Sequence, residues 1–230
     1  FILHQIFLLN KKFETYFKEY NFHKLYKELV NFCSLDLSAF YFDIRKDTLY
    51  CDEIKSPKRQ ACLNLLDLVL DMLLKWFAPI LSFTTEEIYQ IMQKDKNTSI
   101  HLQNFPIIPT KWENNQLFEK WNKLKTIRDV VNAAIEVKRS SKDVGSSLEA
   151  DIEIYLGEEY LKLVKDINLS EYFITSSAKV KPMVNNDKLF KLDNTVNVGI
   201  LVKKALGKKC SRCWKILQNP CKRSNCGLKN

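Results

Sequence analysis

The sequence contains few glycines and prolines, and it lacks the short motifs of several enzyme classes. Five Gly and six Pro among 230 residues argue against a turn-rich all-β fold and favour long helices. No Gly-rich phosphate loop, G-x-S-x-G motif or H-E-x-x-H motif occurs. We therefore expect no active site within these residues.

The start of the chain lacks the features of a secretory leader. It reads Phe-Ile-Leu-His, with neither a Met nor a basic region, and it opens inside an apolar helical pattern, which is typical of a fragment of a longer protein. The longest apolar stretch, residues 63–83, is interrupted at four-residue steps by Asp67, Asp71 and Lys75. This spacing predicts an amphipathic helix with no membrane span, and we expect a cytoplasmic protein.

The composition supports a folded core, and the charge is unevenly distributed. Hydrophobic residues make up 46% of the chain and aromatic residues 12%, with a net charge of +9. Residues 201–230 contain no acidic side chain and nine basic ones: Lys203, Lys204, Lys208, Lys209, Arg212, Lys215, Lys222, Arg223 and Lys229. Because the rest of the chain is balanced in charge, a polyanionic partner is expected to meet this tail.

Hydrophobic periodicity predicts a helical bundle in the first part of the chain. Apolar residues at steps of three and four indicate helices over about 1–20, 22–33, 57–77, 84–93 and 115–142. Ser56 and Pro57 fit an N-cap and a first helical position, and Thr84 with Glu87 fits a capping box. Asp47 and Thr48 are predicted to form a turn.

After residue 145 the period changes from helical to alternating. Ile152, Ile154 and Leu156 predict a strand, residues 158–167 a short helix, and residues 172–180 and 196–202 two further strands. The predicted fold class is mainly α, with a bundle over 1–145, a small α/β module over 146–206 and a cysteine module over 207–230.

The cysteine module has the spacing of a structural metal site. Cys210-x2-Cys213 and Cys221-x4-Cys226 are pairs that can each supply two adjacent corners of a tetrahedron around Zn²⁺. Four protein ligands leave no open position, so one structural zinc ion without a catalytic role is expected. The alternatives are four unmetallated thiols, or disulfides in an oxidising compartment. Cys33, Cys51 and Cys62 are expected to be reduced core or surface thiols.

The basic side chains around the cysteines have two interpretations. They form a phosphate-contacting surface with Trp214 stacking on an unpaired base, or they solvate a small module while Trp214 covers the metal site. The first interpretation assigns RNA contacts to Lys208, Lys209, Arg212, Trp214, Lys215, Lys222 and Arg223. On the long helix, Arg128, Lys138, Arg139 and Lys142 line a groove for a sugar-phosphate backbone or form a solvated face. We include Arg128 and Arg139 among the candidate RNA contacts.

Several stretches resemble one family. Residues 41–52 (YFDIRKDTLYCD), 77–88 (FAPILSFTTEEI), 128–136 (RDVVNAAIE) and 144–150 (VGSSLEA) are similar to the anticodon-binding region of bacterial isoleucyl-tRNA synthetases. The stretch 209–214 (KCSRCW) resembles the first half of that family's C-terminal zinc module. The family usually has a second Cys-x-x-Cys after a longer connector, and Cys221 and Cys226 depart from that pattern.

The resemblance implies a role in tRNA recognition without catalysis by this chain. Family members use ATP and Mg to charge tRNA(Ile), and they hydrolyse mischarged valine, in domains whose His-Ile-Gly-His-like and Lys-Met-Ser-Lys-Ser-like motifs do not occur here. We expect an inactive monomeric fragment whose bundle holds the anticodon arm while the zinc module closes on it. The alternatives are a free-standing zinc-ribbon nucleic-acid-binding protein and a helical scaffold whose tail binds nothing.

Overall fold

The computed structural model describes residues 1–93, 97–221 and 223, which fall into two compact units. The first unit contains Phe1–Leu49 and Ile54–Asn115, and the second contains Tyr50–Glu53 together with the chain from Gln116 onward. The division into modules at 1–145, 146–206 and 207–230 stays a prediction. None of the helices in the described residues combines the length and apolarity that crossing a bilayer requires.

The first unit is built from helices around one apolar core. Its central members, Ile6, Leu25, Leu29 and Trp76, have no exposed surface. The helices, in chain order, are α1 (Ile2–Lys18), α2 (Phe22–Asn31), a π-helical segment (Phe32–Phe42), α3 (Asp43–Cys51), α4 (Pro57–Phe77) and α5 (Ser82–Met92), followed by 3-10 turns at Ile100–Leu102 and Thr110–Trp112.

The predicted start of α4 is confirmed, whereas two local turn signals are wrong. Pro57 is the first helical residue of α4 and Ser56 its N-cap. The expected turn at Asp47 and Thr48 lies inside α3, where Thr48 is fully buried, so burial overrides the weak turn preference of these residues. The expected capping box at Thr84 is also absent, because α5 begins two residues earlier, at Ser82.

The second unit combines a long helix with a three-stranded sheet. Its elements are α6 (Asn115–Ser140), a 3-10 turn (Ser147–Glu149), β1 (Ala150–Leu156), α7 (Glu158–Val164), α8 (Leu169–Tyr172), β2 (Ser177–Pro182), β3 (Val198–Lys204), β4 (Lys208–Lys209) and β5 (Ile216–Leu217). The sheet has the order β2-β1-β3, with β1 parallel to β2 and antiparallel to β3. The predicted fold class, mainly α with a small α/β module, is confirmed.

The strand expected over 172–180 begins later than its apolar pattern predicts. Tyr172 belongs to α8, because the side chain of Asn168 caps this short helix by accepting a hydrogen bond from the Glu171 amide at 3.3 Å. The strand β2 begins only at Ser177. A side-chain cap therefore competes successfully with strand preference at this position.

The two faces of the sheet differ in character. Ile152, Ile154 and Leu156 are buried on one face, as their alternation predicts. The other face carries Asp151, opposite Ser177 and Lys203, and Glu153, opposite Lys179.

Glu153 is expected to make the free energy of unfolding fall in acid. Lys181 Nζ at 2.7 Å, Lys203 Nζ at 2.8 Å and Tyr155 OH at 3.0 Å all donate to its carboxylate, and they lower its pKa from 4.5 to about 2. Since the folded-state pKa is depressed, the stabilisation is present above about pH 4.5 and is lost as the pH falls towards 2. Glu153→Gln should lower the free energy of unfolding by about 1 kcal/mol at neutral pH and by less in acid.

Urea denaturation at a series of pH values measures this effect. Glu119→Gln is the control, because Glu119 is an exposed glutamate of α6, and it should leave the unfolding free energy unchanged. A difference between Glu153→Gln and wild type that stays constant down to pH 2 would contradict the assignment.

Candidate metal centre

The cysteine hairpin, residues 207–221, presents the first predicted cysteine pair on a tight turn. Strands β4 and β5 pair antiparallel, with Lys209 opposite Ile216. The Cys210 amide donates to the Lys215 carbonyl at 2.9 Å, and the Trp214 amide donates to the Cys210 carbonyl at 3.0 Å. Gly207 has φ +136°, and a Cβ there would lie 2.2 Å from the Leu217 carbonyl oxygen, so this close strand pairing requires glycine.

Three of the four predicted ligand thiols lie together. The Sγ atoms of Cys210, Cys213 and Cys221 are all within 4.8 Å of one another. Tetrahedral zinc with Zn–S bonds of about 2.3 Å needs sulfur atoms about 3.8 Å apart, so small side-chain movements suffice to hold an ion. Cys226, the fourth predicted ligand, lies outside the described residues. The three thiols can therefore bind a metal ion, and their soft sulfur donors suit zinc.

Burial of these thiols disfavours the charged form unless a cation is present. Cys210 has no exposed surface and Cys213 has 7%. Burial is the largest cause that raises the pKa of Cys213, to about 11; it outweighs a hydrogen bond with the Lys215 backbone, which lowers the pKa, and the neighbouring thiols of Cys210 and Cys221 raise it further. A divalent cation reverses this preference because it binds the thiolate and displaces the proton.

A fourth thiol, Cys51, packs against the cluster from a distant part of the sequence. Cys51 is buried beside Cys210 and Cys213, and its thiol donates to the Arg212 carbonyl at 3.9 Å. It does not belong to the group of mutually close sulfur atoms. Sequence reasoning missed this neighbour because spacing motifs reveal only ligands that are close in sequence.

Two arginines of the tail also reach the segment Tyr50–Glu53. The Arg212 guanidinium donates to the Tyr50 carbonyl from Nε at 3.1 Å and from Nη2. Arg223 Nε lies 3.3 Å from Asp52 Oδ1. These contacts, together with the Cys51 thiol, attach the first Cys-x2-Cys turn and Arg223 to the segment Tyr50–Glu53 of the same unit.

The remaining predicted RNA contacts of the tail differ in exposure. Lys208 is exposed, Lys215 is half-buried, and Trp214 is 60% exposed. Lys209 Nζ lies 3.6 Å from Glu149 Oε1. Lys222 lies outside the described residues. The basic tail is therefore partly compensated by carboxylates from elsewhere in the chain, which its own composition does not reveal.

The two candidate arginines of α6 have different environments. Arg128 is 7% exposed, and its Nη1 donates to the Tyr172 carbonyl while its guanidinium lies 5.4 Å from the Tyr172 ring centre. Arg139 is exposed and forms a bidentate pair with Glu136 at 2.9 and 3.1 Å. The burial of Arg128 and its contacts with Tyr172 favour a packing role.

Comparison with known proteins places the chain in a family. Residues 1–154, about two thirds of the chain, match the model of the anticodon-binding domain of tRNA ligase. The chain therefore belongs to the family of anticodon-binding domains of tRNA ligases.

The similar curated proteins are isoleucine–tRNA ligases. The one from Pelagibacter ubique is 48% identical over 223 residues, which are 97% of this chain and 23% of the relative. The one from Rhodopseudomonas palustris is 39% identical over 95% of this chain and 22% of the relative. The one from Bradyrhizobium diazoefficiens is 42% identical over 86% of this chain and 20% of the relative. The chain thus spans less than a quarter of the length of these relatives, and the homology supports the tRNA-ligase interpretation over a free-standing zinc ribbon.

Proposed function

We propose that this chain recognises the anticodon arm of tRNA(Ile) as a monomeric, cytoplasmic part of an isoleucine–tRNA ligase. ATP- and Mg-dependent charging, and the removal of mischarged valine, fall to the parts of the relatives that this chain does not span. The observation that carries the proposal is the exposed side chain of Trp214, which lies next to basic residues on the turn that contains Cys210 and Cys213. It occurs in a chain whose first 154 residues match the model of an anticodon-binding domain.

We propose that one zinc ion holds the cysteine hairpin through Cys210, Cys213, Cys221 and Cys226. The support is the proximity of the three described thiols and their burial. A segment of this length cannot bury a core of its own, so metal binding supplies much of its folding free energy. The zinc ion has a structural role, because four protein ligands leave no position for a substrate.

The proposed RNA surface comprises Trp214 and the hairpin cations Lys208, Lys209, Arg212 and Lys215, together with Arg223 and with Arg139 of α6. Lys222, which lies outside the described residues, is proposed as a further RNA contact. Cations in this surface neutralise phosphates and release counterions, so the affinity falls with salt. Anticodon bases are single-stranded, and their Watson–Crick edges and ring faces can be read by side chains.

Titration of the chain with tRNA(Ile) over a range of salt concentrations tests the proposal. We expect the logarithm of the binding constant to fall linearly with the logarithm of the salt concentration, and the slope of this line is the salt slope. Binding should be weaker to the same tRNA carrying a different anticodon. Lys208→Gln should reduce the salt slope by about 0.7 to 0.9, whereas Lys162→Gln, an exposed lysine of α7, should leave it unchanged. Equal affinity for both anticodons would refute recognition of the anticodon.

Trp214 is expected to contribute more to RNA affinity than to stability. Its φ is +60°, a conformation that costs a non-glycine residue about 1–2 kcal/mol, and its ring is 60% exposed. Trp214→Gly removes both the strain and the ring, so we expect an unfolding free energy within about 1 kcal/mol of wild type. The RNA affinity should fall roughly tenfold to a hundredfold, the value of one stacked base.

Measurements of metal content and RNA affinity on the same preparations distinguish stacking from the alternative role of covering the metal. Trp214→Phe keeps an aromatic face and should restore most of the affinity. If Trp214→Gly loses metal, the indole covers the site, and stacking is not its main role.

A further inference from the structure

A short segment from the first half of the sequence contacts the chain at two places close to the clustered thiols. This support segment consists of Tyr50, Cys51 and Asp52, which belong to the second unit. It contacts Arg212, which lies inside the first cysteine pair, and Arg223, which lies two residues after the third clustered thiol. One segment therefore restrains the thiol-bearing part of the chain at two separate points.

The contact with Arg212 runs in both directions. The Arg212 guanidinium donates to the Tyr50 carbonyl from Nε at 3.1 Å and from Nη2, and the Cys51 thiol donates to the Arg212 carbonyl at 3.9 Å. The Tyr50 carbonyl is among the last carbonyls of a helix, which lack an intrahelical partner and attract cations. The rigid fork of a guanidinium suits this carbonyl better than the single ammonium of a lysine.

This contact orients the peptide that leads into Cys213. The Arg212 carbonyl and the Cys213 nitrogen belong to the same planar peptide unit, so a bond to the carbonyl restrains the backbone of both residues. The Trp214 amide, which donates to the Cys210 carbonyl at 3.0 Å, closes the turn. The direction of the thiols on this turn therefore depends on Cys51, which lies 161 positions from Arg212 in the sequence.

The second contact restrains the chain just beyond Cys221. Arg223 Nε lies 3.3 Å from Asp52 Oδ1, and the two side chains are 29% and 17% exposed. A partly buried ion pair is screened less by salt than an exposed one. The pair therefore limits the movement of the backbone that carries the Cys221 thiol.

Cys51 also shields the thiols from water. Its side chain is 3% exposed and packs against Cys210 and Cys213, but its sulfur does not belong to the mutually close group. It thus contributes volume and a hydrogen bond without acting as a ligand. Residues of this kind orient metal ligands and control the access of solvent.

We propose that the support segment is a positioning element of the metal centre, which holds the thiols of Cys210, Cys213 and Cys221 in binding geometry and slows the loss of the metal ion. This inference rests on the proposed zinc site. A thiolate that dissociates from the ion stays close to it when its backbone is restrained, so it rebinds before the ion escapes. Loss of residues that orient metal ligands typically weakens metal binding roughly 10–100-fold.

Transfer of zinc from the 230-residue chain to a chromogenic chelator measures the rate of metal loss. We expect Arg212→Ala to release zinc roughly tenfold to a hundredfold faster than wild type. Arg212→Lys should release it almost as fast, because a lysine keeps the charge but lacks the fork. Arg139→Ala, which removes an exposed arginine of α6, should release zinc like wild type. A wild-type rate in Arg212→Lys would show that charge alone acts, and it would overturn the positioning role.

Substitution of Co²⁺ for zinc distinguishes positioning from ligation by Cys51, because thiolate ligands give the cobalt site its charge-transfer absorption. Cys51→Ala should keep this absorption and release the metal roughly threefold faster, the value of one weak hydrogen bond. Cys51→Ser keeps a donor for the Arg212 carbonyl and should restore slow release. Cys33→Ala, in the first unit, is the control and should change neither property. Loss of thiolate absorption in Cys51→Ala would make Cys51 a ligand and contradict the inference.

The failure of the metal site and the failure of the positioning role give different results. If wild type binds neither Zn²⁺ nor Co²⁺, the proposed metal site fails. If wild type binds both ions but Arg212→Ala and Asp52→Asn release them at the wild-type rate, the site stands and the support segment has no positioning role. Should Arg212→Ala lose its fold, Asp52→Asn carries the test. It removes the charge that pairs with Arg223 and should speed release, whereas Asp193→Asn, at an exposed aspartate, should not.

Discussion

Cys213→Ser is expected to release the metal ion and to unfold the cysteine hairpin. A serine hydroxyl is a poor zinc ligand, and structural zinc sites contribute about 10–16 kcal/mol of apparent binding free energy at neutral pH. Cys213 is buried beside Cys210 and Cys221, so the variant loses a ligand from the centre of the cluster. Zinc content should fall from about one equivalent to near zero, and RNA affinity should fall with it.

Three further cysteine variants make this result specific. Cys33→Ser is the control, because Cys33 lies in the π-helical segment of the first unit, and it should retain zinc. Cys226→Ser should lose zinc as Cys213→Ser does, and Cys51→Ser should retain it, because Cys51 contacts the Arg212 carbonyl without joining the sulfur group. Metal analysis and native mass spectrometry measure all four variants.

The opposite pattern would change the ligand assignment. Zinc loss in Cys51→Ser with retention in Cys226→Ser would make Cys51 the fourth ligand. Retention of zinc by Cys213→Ser would exclude the proposed site altogether.

Arg128→Ala is expected to destabilise the second unit strongly. Arg128 is 7% exposed and donates to the Tyr172 carbonyl, so its removal leaves a carbonyl with one partner fewer and opens a cavity beside the Tyr172 ring. The loss of a charged hydrogen bond and a buried cation–π contact should lower the free energy of unfolding by about 3 kcal/mol. Denaturant unfolding followed by fluorescence measures this change.

Arg139→Ala is the matched control on the same helix. Arg139 is exposed, and its partner Glu136 is three residues away on α6, so its removal should change the unfolding free energy by less than about 0.5 kcal/mol. If Arg128→Ala is as stable as Arg139→Ala but binds tRNA more weakly than wild type, Arg128 contacts RNA, and the packing interpretation is wrong.

Patterns that depend on neighbours in sequence predicted much of this protein. The apolar period of residues 115–142 predicted α6, and Ser56 with Pro57 predicted the start of α4. The alternation at Ile152, Ile154 and Leu156 predicted β1. These predictions succeed because a helix or strand that buries one face must repeat apolar residues at its own period.

The errors occurred where a weak local signal competed with a contact elsewhere in the chain. Thr48 resembles a turn residue, but it is buried within α3. Tyr172 resembles the start of a strand, but Asn168 caps a short helix there and the Tyr172 carbonyl accepts the hydrogen bond from Arg128. Local preferences of a few tenths of a kcal/mol are smaller than the free energy of such burial and hydrogen bonding.

By itself, the sequence determined the mainly helical class, the resemblance to an anticodon-binding region, the first cysteine turn and the basic character of the tail. The cysteine spacing predicted that Cys221 joins Cys210 and Cys213, and the three sulfur atoms do lie together. Only the tertiary structure decided that Cys51 packs beside them. It also showed that Glu149, Glu153 and Asp52 compensate part of the tail's charge. The physical reason is the same in each case: ionic and thiol contacts act over a few ångströms in space, and residues far apart along the chain meet at those distances only after folding.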